Sequence, residues 1–429
     1  MWQTYFQQKD TSVYDIYQKF ETATLPNGLT VHCLHWPERA GVRFEFVIHS
    51  GSRQDPIGKE GVAHFMEHLV SENTLISADN LRRFFEHNAG EHPGLGSTNP
   101  NGTCYEFLSS TEPHLLSQSL EYYGHMLLQA SLINKIERER QVIFGEYDSE
   151  YPMSIKHDIN RRMRDAAFPN TFFTRSLSSL GSKDSIARIA QSDAQEFYDT
   201  HYTPANMSVV VVGELTLAQA VMALGHSPFG EYKPGVRTPF PTTITTPPLP
   251  TETECRIHEG AHYVGTQSAS FMSIAQLPGT LKPAQVWIVH EMIKTQLFKT
   301  VRLEKAWTYH IGCRDFCFGD FYEFAVTCSS LEVQAMDDIS QVVDGCIEAV
   351  RLQSDLFEET KHKLVVSKKF SDPAVCSVSE AARYDLLSLN RIVTLTEELR
   401  EAESVQFSDI SPVLDGLAAN RRWTMVGYP

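Results

Sequence analysis

GVAHFMEHLV, Gly61 to Val70, sets two histidines and a glutamate in a run that is otherwise apolar. At about 100° of rotation per helical residue, His64 and His68 lie one turn apart on one face, with Glu67 about 60° from His64. Two neutral imidazoles at that spacing can share one metal ion, and nitrogen donors suit Zn²⁺. A carboxylate beside such an ion can take a proton from a water whose pKa the metal lowers to about 7. The order H-x-x-E-H is the inverse of the commoner H-E-x-x-H and is itself a catalytic signature. The bland alternative is two satisfied core histidines and a stray glutamate, so the assignment turns on whether another helix offers a further ligand.

The segment IERERQVIFGEYDSE, residues 136–150, does offer one. On a helical wheel Glu139, Val142, Ile143 and Glu146 fall within an arc of about 100°, which puts two carboxylates on the apolar face. Glu137 and Asp148 point elsewhere and read as solvated, whereas Glu150 lies near the same face and stays open as a ligand. Carboxylates among Val and Ile are costly to bury unless a cation or hydrogen-bond donors compensate.

The chain has 429 residues, 42% hydrophobic and 21% charged, as in a globular protein of two or three domains. Its formal net charge of -16 repels phosphate backbones and argues against nucleic acid as a partner. The longest apolar run, in NMSVVVVGEL, is too short to span a bilayer, so no membrane segment is expected. The N-terminal MWQTYFQQKDTSVYDIYQKF has the character of neither a secretory signal nor a transit peptide, and a cytoplasmic location is expected. The eight cysteines are scattered and read as small core residues.

Residues 227–251 hold seven of the 21 prolines, and fixed φ angles with missing donors argue against a helix or a central strand there. The segment reads as a Pro-rich linker between a domain over 1–226 and a second, homologous one over 252–429. Each half runs from strand-rich sequence through a long helical stretch to a closing strand. In the first these are GLTVHCLHW and RFEFVIHSGS, a helical 113–150, and SVVVVGE. In the second they are SASFMSIAQL, a helical 283–305, DFYEFAVTCSS, helices to about 405, and RRWTMVGYP. The fold class is therefore α+β, two similar domains with mixed or antiparallel sheets packed with helices.

Beyond these readings, the chain resembles the inverted zinc metallopeptidases of pitrilysin, insulysin and mitochondrial processing peptidase. The resemblance begins with ATLPNGLTVHCL and SGSRQDPIGKEGVAHFMEHLV and continues through ERQVIFGE, SLGSKDSI and HYTPANMSVVVVGE. It reaches LFKTVRLEKAWTYHIG in the second half. It implies one Zn²⁺ per chain held by His64, His68 and Glu146, and so prefers Glu146 over Glu150. It also implies Glu67 as general base and Glu139 as a supporting acid behind the ligands. VRLEKAWTYHIG is similar to a family segment whose arginine and tyrosine bind the substrate near the scissile carbonyl, here Arg302 and Tyr309. Such donors can stabilise a developing oxyanion. Two departures bear on specificity. SENT, with Asn73, stands where the family reads F-K-G-T, and Leu95-Gly96-Ser97-Thr98 stands where N-A-x-T lies on the strand that pairs with substrate.

The resemblance thus implies a zinc endopeptidase, half the length of the two-repeat members, that cleaves unfolded peptides inside a dimeric chamber. Leader or targeting peptides and degradation intermediates are the expected substrates. Both the zinc motif and the Arg/Tyr pair in one chain favour a homodimer, with a heterodimer with a paralogue as the other arrangement. The rival readings are a non-catalytic structural subunit and a peptide-binding module that holds peptides without cutting them.

Overall fold

The computed structural model describes residues 15–71, 78–89, 94–133, 135–149, 179–240, 254–258, 268–370, 373–420 and 422–427. The first half is built on β1 Phe20–Thr24, β2 Thr30–His35, β3 Val42–Ile48, β4 Gly94–Asn99, β5 Gly102–Ser109 and β6 Met207–Gly213. These lie in the order β1-β2-β6-β3-β5-β4, antiparallel except for β2 with β6. The second half carries β7 Glu254–His258, β8 Ser268–Pro278, β9 His310–Cys317, β10 Phe321–Glu332 and β11 Arg422–Gly427. Their order is β7-β11-β8-β10-β9, again with one parallel pair, β7 with β11. Without β1 the two sheets share one plan: the last strand of each half inserts between the first two, and a hairpin forms the far edge. The fold is α+β with two like halves.

Four helices of the first half frame the site: α1 Val62–Ser71, α2 Ala78–Ala89, α3 Pro113–Leu128 and α4 Ile136–Ser149. The helical stretch expected over 113–150 is therefore two helices. The break between them lets α3 and α4 both pack on α1. Six of the ten α1 residues, Val62, Ala63, Phe65, Met66, Leu69 and Val70, are fully buried. A large apolar side chain contributes about 1.5–3 kcal/mol on full burial, so this face seats the helix firmly.

β3 is buried at every position although it carries Arg43 and Glu45. The helix Val375–Leu389 of the second half covers that face of the first sheet. Ser379 Oγ donates to Glu45 Oε1 at 2.6 Å, Arg383 Nε lies 3.2 Å from Glu45 Oε2, and Arg43 reaches Glu106 at 2.7 Å. Glu45 is thus paired across the two halves and Arg43 within the first.

The Pro-rich segment departs from its expected form. Pro228–Glu231 is a short helix, capped by Ser227, and Phe229 stacks on Phe46 at 4.5 Å within the first core. Proline at the first helical position needs no donor, so this residue starts a turn of helix as readily as it ends one. Residues 241–251 of the expected linker lie outside the described residues, as do Met1–Tyr14, Asn73 and Glu150. The second half extends beyond its expected helices with Ser411–Asn420. Among the described cysteines Cys33, Cys104, Cys317, Cys328 and Cys346 are buried, whereas Cys376 is exposed. No helix among the described residues is long and apolar enough to cross a membrane.

Candidate metal centre

The start of α1 is held from outside the helix. Asp55 accepts from Gly61 N at 2.7 Å and Ala63 N at 2.8 Å, filling the role of an N-cap from six and eight positions back. Gly61 sits at φ +102, and a Cβ there would meet the Leu180 carbonyl oxygen at 2.7 Å, so only glycine fits between helix and flanking loop. That loop is fastened in turn by Arg140 of α4, which donates to Ile189 O at 2.8 Å and to Ile186 O. The SLGSKDSI stretch therefore works as a clamp between α1 and α4.

The helices bring His64, His68 and Glu146 together, with one ligand atom of each within 4.8 Å of the others. Glu146 Oε2 lies 3.4 Å from His68 Nε2, and Glu146 Oε1 lies 3.9 Å from His64 Nε2. Glu139 is buried behind them, its Oε2 3.8 Å from His68 Nδ1. Glu67 is buried beside the group, and its Oε2 accepts from Thr98 Oγ1 on β4 at 2.7 Å. Val142, expected on the same apolar face of α4, is instead exposed, so the buried face of that helix is narrower than its sequence pattern. Ile143, the other apolar residue of that arc, stays inside.

Electrostatics agree with a metal-binding set. Burial, with the neighbouring His68, lowers the pKa of His64 to about 4, so its imidazole is neutral near pH 7. Burial also pulls on His68, but Glu146, Glu67 and Glu139 around it outweigh that and raise its pKa. The contact with His68 holds the Glu146 carboxylate below its ordinary value. Burial pushes the Glu67 carboxyl up, against the Thr98 hydrogen bond and the nearby His68. His64 Nδ1 is a buried nitrogen with no hydrogen-bond partner among the described residues. Two imidazoles, one of them kept neutral, with one carboxylate form a donor set of the type Zn²⁺ takes.

Arg302 and Tyr309 lie elsewhere. Arg302 belongs to a π-helical continuation, Phe298–Glu304, of the helix Pro283–Leu297, and Tyr309 immediately precedes β9. The Arg302 guanidinium lies over the rings of Phe298 at 4.8 Å and Tyr309 at 5.0 Å. Tyr309 is 76% exposed. Among the described residues no hydrogen bond or ion pair joins this pair to His64, Glu67, His68 or Glu146 in the same chain. Sequence reasoning missed Thr98 as the partner of Glu67 and Asp55 as the cap of α1; an Asp ahead of Gly61 was the only local hint of the latter.

The family model described as Insulinase (Peptidase family M16) matches residues 31–178, and the Peptidase M16 inactive domain matches residues 188–364. The chain belongs to peptidase family M16. It is 28% identical over 218 residues to the mitochondrial-processing peptidase subunit beta of Blastocladiella emersonii, covering 51% of this chain and 45% of that protein. It is 27% identical over 218 residues to the zinc protease PqqE of Helicobacter pylori, covering 50% and 48%. The match thus spans about half the length of these curated relatives. A protease structure from Helicobacter pylori superposes with a TM-score of 0.76 at 18% identity, over 95% of this chain and 99% of that one. Pitrilysin superposes with a TM-score of 0.71 at 15% identity, over 98% of this chain and 46% of its own. Both share the fold.

Proposed function

We propose that this chain is a zinc-dependent endopeptidase acting on unfolded peptides, with His64, His68 and Glu146 as metal ligands. The observation that carries the reading is the convergence of these three ligand atoms within 4.8 Å beside the buried carboxylate of Glu67. Zn²⁺ bound there supplies a Lewis acid that makes water a nucleophile near neutral pH. Glu67 takes a proton from the attacking water and delivers it to the leaving amine. Glu139, buried against His68 Nδ1, orients that ring in the manner of a carboxylate behind a metal-bound histidine. Arg302 and Tyr309 stabilise the oxyanion of the peptide carbonyl.

The same reading makes the working unit a dimer, with the exposed Arg302/Tyr309 pair of one subunit facing the zinc site of the other. A relative named as one subunit of a processing peptidase supports an assembly of chains, and a homodimer is the form proposed here. Leader or targeting peptides and degradation intermediates are the substrate class.

Elemental analysis and peptide turnover test the reading together. The unaltered chain should carry one zinc and cleave a flexible peptide, and Glu67→Gln should keep the zinc while losing at least about a hundredfold in kcat. A Glu67→Gln chain that is metal-free or fully active would sink the assigned roles. A zinc-loaded chain that binds peptides without cutting them would instead establish the peptide-binding alternative.

A further inference from the structure

The two oxygens of the Glu67 carboxylate are not in equivalent surroundings. Oε2 lies 2.7 Å from Thr98 Oγ1 on the edge strand β4. The same hydroxyl lies 3.5 Å from Thr103 Oγ1, whose own proton goes to the Ser50 carbonyl at 3.1 Å. A threonine hydroxyl has one proton to give, and the short contact to a carboxylate takes it. Thr98 therefore donates to Oε2.

The stem of Glu67 is confined as well. Gly96 on β4 sits at φ +109, and a Cβ there would lie 2.9 Å from Glu67 Cγ and 3.0 Å from the Tyr105 ring. Tyr105 is itself fully buried and anchored by a 2.9 Å hydrogen bond to Tyr202. The ring and the bare glycine form a slot for the Glu67 side chain, and among the described residues Thr98 is its side-chain hydrogen-bond partner at the end of that slot. β4 is irregular at this point, with a register shift between Gly94 and Ser97 that sets Thr98 opposite Thr103 on β5.

We propose that Thr98 is the positioning residue for Glu67: its hydroxyl holds Oε2, so that Oε1 is the oxygen that takes and returns the proton. This rests on the reading of Glu67 as the general base. The carboxylate is then presented in one orientation rather than two, and a base held in the productive orientation need not be reoriented in the reaction.

Three variants test the idea: Thr98→Val, which keeps shape and removes the donor, Thr98→Ser, which keeps the donor, and Glu67→Gln. With a quenched-fluorescence peptide that the unaltered chain cleaves, Thr98→Val should lower kcat about tenfold or more with KM little changed. Thr98→Ser should restore most of it. All three should hold one zinc per chain with thermal midpoints close to that of the unaltered protein. A readout independent of turnover comes from the zinc-free chain. Infrared difference spectra against Glu67→Gln isolate the Glu67 carboxylate bands, whose splitting should change in Thr98→Val and return in Thr98→Ser. Unchanged kcat and unchanged bands in Thr98→Val would overturn the proposal, as would loss of zinc or of thermal stability in that variant, which would make Thr98 a fold residue. An active Glu67→Gln chain would overturn the reading of Glu67 itself, and with it this one. An inactive Glu67→Gln beside a fully active Thr98→Val removes only the role of Thr98.

Discussion

Arg53, in the turn that leads into α1, and Asp320, in the turn between β9 and β10, form a two-pronged ion pair 267 positions apart in sequence. Arg53 Nη2 lies 2.9 Å from Oδ1 and Nη1 lies 3.2 Å from Oδ2. Arg53 also donates to the Phe318 carbonyl at 3.1 Å, and both charged side chains are largely buried. The second half thus grips the chain just ahead of α1. Asp320→Ala leaves Arg53 buried without its counter-charge and should cost about 3 kcal/mol, read as a shift in the denaturant midpoint. Arg53→Met with Asp320→Leu should regain most of that loss. Equal destabilisation by the single and the double change would show that packing, not the charge pair, matters here.

Asp55 makes a second prediction. Its two carboxylate oxygens take the Gly61 and Ala63 amides, and α1 has no other side-chain cap among the described residues. Burial pushes this carboxyl up to about 8, while the two amide hydrogen bonds favour its ionised form. Asp55→Ala should cost about 1–2 kcal/mol and weaken zinc binding, because the first turn of α1 carries His64. Asp55→Asn, which keeps an acceptor, should lose less. Chelator competition and thermal melts on the three proteins would check both; an Asp55→Ala chain with native zinc affinity would refute the link between cap and site.

Acid should release zinc in two stages. The metal takes neutral imidazoles, so protons compete with it and affinity rises with pH. The His68 pKa is raised above its ordinary value of 6.5, so this ring takes the first proton as pH falls; His64, lowered to about 4, takes the second much later. Zinc affinity should fall about tenfold per pH unit below the raised His68 value and more steeply near pH 4. Calorimetric titration with Zn²⁺ across this range would show it. An affinity independent of pH would mean that the histidines are not ligands.

Subunit exchange tests where the site is completed. Among the described residues no hydrogen bond or ion pair joins Arg302 or Tyr309 to His64, Glu67, His68 or Glu146 of the same chain, and Tyr309 is exposed. Glu67→Gln and the double change Arg302→Ala, Tyr309→Phe should each be inactive alone. When they are mixed under conditions of subunit exchange, one site of each mixed dimer joins an intact zinc motif to an intact Arg/Tyr pair, and activity should reappear. Exchange confirmed with tagged subunits but without recovered activity would rule out a site shared between chains.

Much of this site was legible along the chain because it is local. Helical periodicity alone puts His64 and His68 on one face with Glu67 between them, and the same rule applied to α4 puts Glu139 and Glu146 on one face, the first buried and the second half-buried. The rule failed where burial depends on distant neighbours. Val142 fits the apolar arc of α4 yet faces out, and the Pro-rich stretch that argues against helix begins with a capped helical turn because Phe229 has a place in the first core. The repeated plan of the two sheets was visible only as a similar order of elements, since strand pairing is not written in residue identity.

What the sequence by itself determined is the set of chemical groups and their spacing within each element: two imidazoles and a carboxylate on one helix, two carboxylates on another, an arginine and a tyrosine flanking a turn. Those follow from backbone periodicity, which acts over a few residues. The tertiary structure alone decided which of these groups meet: Glu146 with His68, Glu67 with Thr98 at 31 positions' remove, and the helix Val375–Leu389 on the first sheet. The physical reason is that these pairings depend on how apolar faces from distant segments pack and on which buried charges find partners, terms that are summed over the whole fold and have no local signature.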